Sequence, residues 1–215
     1  MKSRRGLPLH IEKELSSGIV DRNYTGMLIA QYELYQKVSQ LEGCVVKCGV
    51  VAGPGLTRFA MLAKLMAVKT IQNLIAFEKN PVPLPENTIQ EADGLVLPSN
   101  GPLSTDFADA KLVWEDITDM IEFIPGEVVD AIPNYLIENP EMKIAYLNID
   151  FDEYESTFTT LQYFYPRLVH GGILVFDNYY KKEEDYNAVN DYFQHENHKI
   201  YNFSVNKGPD YLLRM

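Results

Sequence analysis

The chain has only two cysteines, Cys44 and Cys48, and neither is joined by a second pair or by histidines at zinc-ligand spacing, which argues against a zinc site. On one strand, residues four apart share a face but stand too far apart along it for a disulfide, so both read as buried, reduced thiols suited to a reducing cytoplasm. Basic residues are also few. Nineteen Lys and Arg against 30 Asp and Glu leave a formal net charge of -11 and a pI near 4.8. Such a surface repels phosphate backbones and anionic lipid, which excludes nucleic acid and membrane as partners. No apolar run approaches the roughly 18 residues of a membrane span. Behind Lys2, Arg4 and Arg5 there is no apolar segment of the kind a secretory leader carries, so a soluble cytoplasmic protein is expected. Internal repeats and low-complexity stretches are absent as well.

What remains is 215 residues with 46% hydrophobic content, enough for one well-covered domain over 1–215 but short for two. Residues 1–43 read as a leading helical segment, because Met27, Leu28, Tyr32, Leu34, Tyr35, Val38 and Leu41 recur at roughly helical spacing before Gly43. Cys44 to Val50 reads as a buried strand, Val51 to Gly55 as a glycine turn, and Phe59 to Val68 as a helix. A second strand over Leu74 to Phe77 leads into a long irregular stretch, 79–105, that carries Pro81, Pro83, Pro85, Pro98 and Pro102. Its length makes it a candidate lid, although a plain surface excursion reads equally well.

Alternation then resumes. A helix over Phe107 to Met120 precedes a strand over Ile121 to Pro125, a helix over Val128 to Glu138 and a strand over Ile144 to Ile149. The next helix is expected to start at Ser156 as N-cap and run to Leu168. Gly171 and Gly172 then turn the chain into an apolar strand, Ile173 to Phe176. A helix over Glu183 to Glu196 and an antiparallel hairpin, Lys199 to Phe203 with Tyr211 to Arg214, complete the chain. Strands alternating with helices give an α/β, Rossmann-like sheet, mostly parallel, with helices on both faces. Ligands in such sheets sit beyond the carboxyl ends of the strands.

That rule selects the residues of interest. Gly49 and Gly53 belong to the crossing from the first strand through the turn to the next helix, Gly49 to Gly55, where glycine lets a ligand approach the backbone. Glu78 ends the second strand, the place from which a carboxylate holds a ribose diol. Asp150 and Asp152 end the fourth strand and Asp177 the fifth, so three carboxylates meet on one rim. Such a like-charge cluster is costly unless a cation or proton neutralises it, and its hard oxygens suit magnesium, manganese or calcium. Each of these residues also has a bland reading, as a helix cap, a tight loop or an exposed carboxylate.

Two segments carry a family resemblance. Ala145 to Thr157 contains Asp150-Phe151-Asp152-Glu153-Tyr154-Glu155-Ser156-Thr157. Tyr163 to Tyr179 contains Tyr165-Pro166-Arg167-Leu168, Gly171-Gly172 and Asp177-Asn178-Tyr179. Together they resemble the macrocin O-methyltransferase (TylF-type) family of S-adenosylmethionine-dependent sugar O-methyltransferases, and looser matches extend the likeness over about Leu41 to Phe193. The resemblance implies a class I methyltransferase fold, a homo-oligomer, a sugar-containing small-molecule substrate, S-adenosylmethionine and Mg2+ or another hard divalent cation. By position it assigns Gly49, Gly53, Glu78 and Asp150 to the cofactor, Asp150, Asp177 and Asn178 to the metal, and Asp152 to the catalytic base. A cation would lower the pKa of a sugar hydroxyl so that Asp152 could take its proton.

This sequence departs from the family pattern at three places. Lys47 stands where an acidic residue is usual, Pro54 replaces a glycine of the turn, and Asn178 replaces a second aspartate. These departures keep open a second reading, a non-catalytic protein that binds a ligand or partner on the same scaffold. A metal-dependent hydrolase is a third, without a histidine near the cluster.

Overall fold

A computed structural model describes residues 22–49, 54–65, 73–79, 120–177, 179, 183–194, 198–203 and 209–215. The 79–105 stretch beyond Lys79 and the helix expected over Phe107 to Met120 lie outside them up to Asp119. In chain order the elements are α1 (Arg22–Val38), β1 (Cys44–Cys48), α2 (Pro54–Leu65), β2 (Leu74–Glu78), β3 (Ile121–Pro125), α3 (Val128–Glu138) and β4 (Ile144–Ile149). They continue with α4 (Tyr154–Phe164), a single 3-10 turn (Tyr165–Arg167), β5 (Leu168–Phe176), α5 (Glu183–Tyr192), β6 (Ile200–Asn202) and β7 (Asp210–Leu213).

The seven strands form one sheet in the order β3-β2-β1-β4-β5-β7-β6. Strands β1 to β5 run parallel, and β7 joins β5 antiparallel with β6 outside it, as the terminal hairpin predicts. Strand order reverses between β1 and β4, so the crevice for a ligand opens at their carboxyl ends.

Because side chains alternate across a strand, each buried strand feeds two cores. Val46, Cys48, Ile75, Phe77, Leu147, Ile149, Leu174 and Phe176 face one side, against Val128, Ile132 and Leu136 of α3 and Leu161 and Phe164 of α4. Val45, Leu74, Ala76, Tyr146, Ile173 and Val175 face the other, against Leu34, Tyr35 and Val38 of α1 and Phe59, Ala60 and Ala63 of α2. Both cysteines are free, Cys48 buried and Cys44 half-buried; burial pushes both thiols up, Cys44 to about 12. No helix among the described residues is long and apolar enough to cross a membrane.

Several element boundaries differ from the sequence expectation: β1 ends at Cys48, α2 opens at Pro54 inside the expected glycine turn, α4 ends at Phe164 and α5 at Tyr192, and two further differences bear on packing. Helix α4 starts at Tyr154 with Glu153 as N-cap residue, and Ser156 lies inside the first turn, its hydroxyl donating to Glu153 Oε2 at 3.0 Å. Ser156 is buried there, so packing rather than capping fixes it. Strand β5 begins at Leu168, not Ile173, and the two glycines lie within it. Opposite them the register slips, Ile144 pairing with Leu168 and Tyr146 with Ile173, and Gly171 takes φ +80°. A bulge absorbs the extra residues, and backbone bonds to Arg214 keep it in the sheet.

Candidate active site

The alternation that builds the second core also builds the site. On β1, Lys47 follows Val45 on the α1/α2 side; on β4, Asn148 and then Asp150 follow Tyr146; on β5, Asp177 follows Ile173 and Val175. The register sets Lys47 beside Asn148 and Asn148 beside Val175. Four polar side chains are thus stacked at the carboxyl rim, immediately above an apolar layer.

Their contacts are specific. Lys47 Nζ donates to Asn148 Oδ1 at 2.6 Å and to Asp150 Oδ2 at 3.3 Å, and lies 3.7 Å from Asp177 Oδ2. Asn148 Nδ2 donates to Asp177 Oδ2 at 3.3 Å. This amide orientation is the one the partners demand, since reversing it would set two donors against each other at Lys47 and two acceptors at Asp177. The Lys47 side chain is 7% exposed, that of Asp150 18% and that of Asp177 28%. Burial pushes the Asp150 carboxyl up, Lys47 opposes it, and the neighbouring charges of Asp177 and Asp152 add to the rise.

Asp152 is exposed, just ahead of α4, and its charge is felt at both Asp150 and Asp185. Asp185, in the first turn of α5, accepts a 2.6 Å hydrogen bond from Thr157 Oγ1 of α4. Burial pushes its carboxyl up to about 6, against the lowering effect of the Thr157 bond.

Gly49 ends β1 with φ +81°, its N–H bonded to Phe77 O at 3.0 Å. A Cβ there would press onto the Asp150 carbonyl oxygen and come within 2.8 Å of Phe151 Cδ1. Glycine is therefore required for β1 and the Asp150 loop to approach each other. Glu78 ends β2, next to β1 in the sheet, so it faces the same crevice end. The structure brings Gly49, Glu78, Asp150, Asp152 and Asp177 to one rim. Gly53 and Asn178 lie outside the described residues.

Sequence reasoning missed the partners of Lys47, the part played by Asn148, and the Thr157–Asp185 pair. The available signal was a lysine in Cys44-Val45-Val46-Lys47-Cys48 and an asparagine in the otherwise apolar β4. A polar group inside a buried parallel strand needs a partner.

The divalent cation of the sequence expectation requires oxygens about 2.0–2.6 Å from one point. Between Asp150 Oδ2 and Asp177 Oδ2 that place faces the Lys47 ammonium. At 4 Å and an effective dielectric of about 20, that ammonium offsets by about 4 kcal/mol per unit of positive charge the attraction the two carboxylates would otherwise offer. Among the described residues no group of three His, Cys, Asp or Glu side chains is arranged to hold a metal ion. The described donor set does not fit a divalent metal.

The order of strands and the crevice at their carboxyl ends are those of a class I methyltransferase. The calicheamicin methyltransferase CalS11 superposes with a TM-score of 0.69 at 21% identity, covering 97% of this chain and 87% of that one. The model of the family Macrocin-O-methyltransferase (TylF) matches residues 32–203, and the chain belongs to that family. Demethyldecarbamoylnovobiocin O-methyltransferase of Streptomyces niveus is 33% identical over 79 residues, 37% of this chain and 29% of the relative. The 8-demethyl-8-(2,3-dimethoxy-alpha-L-rhamnosyl)-tetracenomycin-C 4'-O-methyltransferase of Streptomyces olivaceus is 31% identical over 83 residues, 37% of this chain and 30% of the relative. The matched segments thus span less than a third of either curated relative's length.

Proposed function

We propose that this chain transfers a methyl group from S-adenosylmethionine to a hydroxyl of a sugar-containing small molecule. The observation that carries the reading is the meeting of Gly49, Glu78 and the three aspartates at one strand rim, in a chain of this family. The rhamnosyl group in the name of the Streptomyces olivaceus relative supports a sugar as acceptor.

In this reading Gly49 lets the Asp150 loop close against the end of β1 and so shapes the cofactor pocket, Glu78 would accept hydrogen bonds from the ribose hydroxyls, and Asp150 borders the same pocket. Asp152, exposed beside the rim, is the base. The acceptor oxygen attacks the sulfonium methyl, forming the O–CH3 bond. The S–CH3 bond breaks with its electron pair left on sulfur, which gives S-adenosylhomocysteine. The hydroxyl proton passes to the Asp152 carboxylate. Mg2+ at Asp150, Asp177 and Asn178 is the form the resemblance implies; the Lys47 contacts speak against it, and no step above uses it. Homo-oligomer formation is an expectation carried by the same resemblance, and cytoplasmic residence one that rests on the two free cysteines.

Calorimetric titration with S-adenosylhomocysteine tests the reading. Micromolar binding that weakens in Glu78→Ala, followed by methylation of a sugar in an acceptor screen, is the expected result. Absence of binding would overturn it and return preference to a non-catalytic role.

A further inference from the structure

On the basis of that reading, we propose that Lys47 is the resident cation of the site, its ammonium serving Asp150 and Asp177 as a divalent metal would, so that the chain binds its cofactor and transfers methyl without one.

The geometry supports this at each point. An ammonium is a compact charge with three rotatable donors, and Lys47 has three acceptors around it: Asn148 Oδ1 at 2.6 Å, Asp150 Oδ2 at 3.3 Å and Asp177 Oδ2 at 3.7 Å. The two carboxylates come from adjacent strands, and Lys47 reaches them from the strand on the other side of β4. Parallel register fixes this arrangement, because Lys47 pairs with Asn148 in the sheet and Asn148 in turn holds Asp177. Lys47 is buried one step beyond Val45 on the same face of β1, next to the apolar layer of Val45 and Tyr146, so the charge is held within the fold rather than delivered from solvent.

Lys47 is a positioning residue. With two of its donors in hydrogen bonds, Asp177 Oδ2 at ion-pair distance and its side chain almost fully covered, it stays within the polar layer rather than reaching out to a substrate. Its effect is to hold two carboxylates together at the rim, where removing it would leave a like-charge pair open to a cation. A metal-free lysine site and a metal site are therefore alternatives at the same two aspartates.

The test is uptake of Mn2+ alone, followed by the electron paramagnetic resonance signal of the free ion, on the full chain. Wild-type protein is expected to show no uptake that depends on Asp177. Lys47→Met is expected to gain a site, roughly tenfold or more tighter, that Asp177→Asn in the same background removes. Lys47→Arg, which keeps the charge, is expected to behave as wild type. Uptake by wild-type protein that is lost in Asp177→Asn overturns the proposal, and so does a folded Lys47→Met protein that gains no site. Should Lys47→Met fail to fold, wild-type uptake decides, together with S-adenosylhomocysteine affinity in EDTA. Unchanged affinity supports the lysine site, and affinity that collapses in EDTA and returns with Mg2+ refutes it. Failure to bind S-adenosylhomocysteine under any condition removes the methyltransferase reading, while the manganese result still decides what Lys47 does.

Discussion

Thr157 of α4 and Asp185 of α5 meet in a buried 2.6 Å hydrogen bond that ties the helix behind the candidate base to the next helix along the chain. A second tie, Tyr154 Oη donating to Asp191 Oδ2 at 3.0 Å, lies at the solvent edge of the same helix pair. The position of Asp152, just ahead of α4, thus depends on how α5 is held.

The Asp185 carboxyl makes stability depend on pH. Burial raises it to about 6 in the folded chain, above the ordinary value of 3.8, so the folded state binds the proton more tightly than the unfolded state. This contribution is fully present below about 4 and is lost as pH rises through about 6. Asp185→Asn keeps an oxygen for the Thr157 hydroxyl and removes the buried charge. Urea unfolding should show the variant more stable at pH 7 by roughly 1 kcal/mol, with the difference shrinking by pH 5. An identical pH slope in both proteins would show that Asp185 is not the group responsible.

Gly49→Ala should damage the rim rather than the core. Its φ of +81° carries a strain of roughly 1–3 kcal/mol for an L side chain, and the added methyl collides with the Asp150 backbone. Chemical denaturation should register that loss. S-adenosylhomocysteine binding should fall further than in a core variant of matched stability, because Asp150 must move. Equal effects on binding in the two variants would separate Gly49 from the cofactor.

The strand-helix alternation, the antiparallel terminal hairpin and the rim carrying Glu78, Asp150, Asp152 and Asp177 were all legible from apolar periodicity and from the rule that parallel strands present their carboxyl ends to ligands. The tie between Lys47 and Asn148 was not, since it joins residues 101 apart in sequence through the β1–β4 register. Alternation tells which face a residue takes but leaves open which residue of another strand lies beside it. Thr157 and Asp185 were hidden for a related reason: helix packing, not helix periodicity, brings them together. A start of α4 at Ser156 is what a serine before an apolar run suggests, since it reads as a cap, whereas here burial holds that serine inside the first turn.

Asp152→Asn separates chemistry from binding. Asp152 is exposed and belongs to neither core layer, so the variant should fold and bind S-adenosylhomocysteine about as tightly as wild type. If it is the base, turnover should fall by about 10²–10⁴-fold. Retention of full turnover would move the proton to another group.

Asn148→Leu tests whether the polar layer holds together as a unit. The substitution removes the shortest partner of Lys47 and the amide that donates to Asp177, and leaves a covered ammonium to one nearby carboxylate at 3.3 Å and another at 3.7 Å. A buried donor stripped of a partner costs about 1–3 kcal/mol, more than the leucine regains by its apolar contact. Unfolding should therefore show a net loss within that range. The double variant Lys47→Met with Asn148→Leu should be less destabilised than the sum of the two single changes, because the second no longer orphans the first. Strict additivity would mean that the two residues do not act together, and that the 2.6 Å bond contributes little to holding Asp150 and Asp177 at the rim.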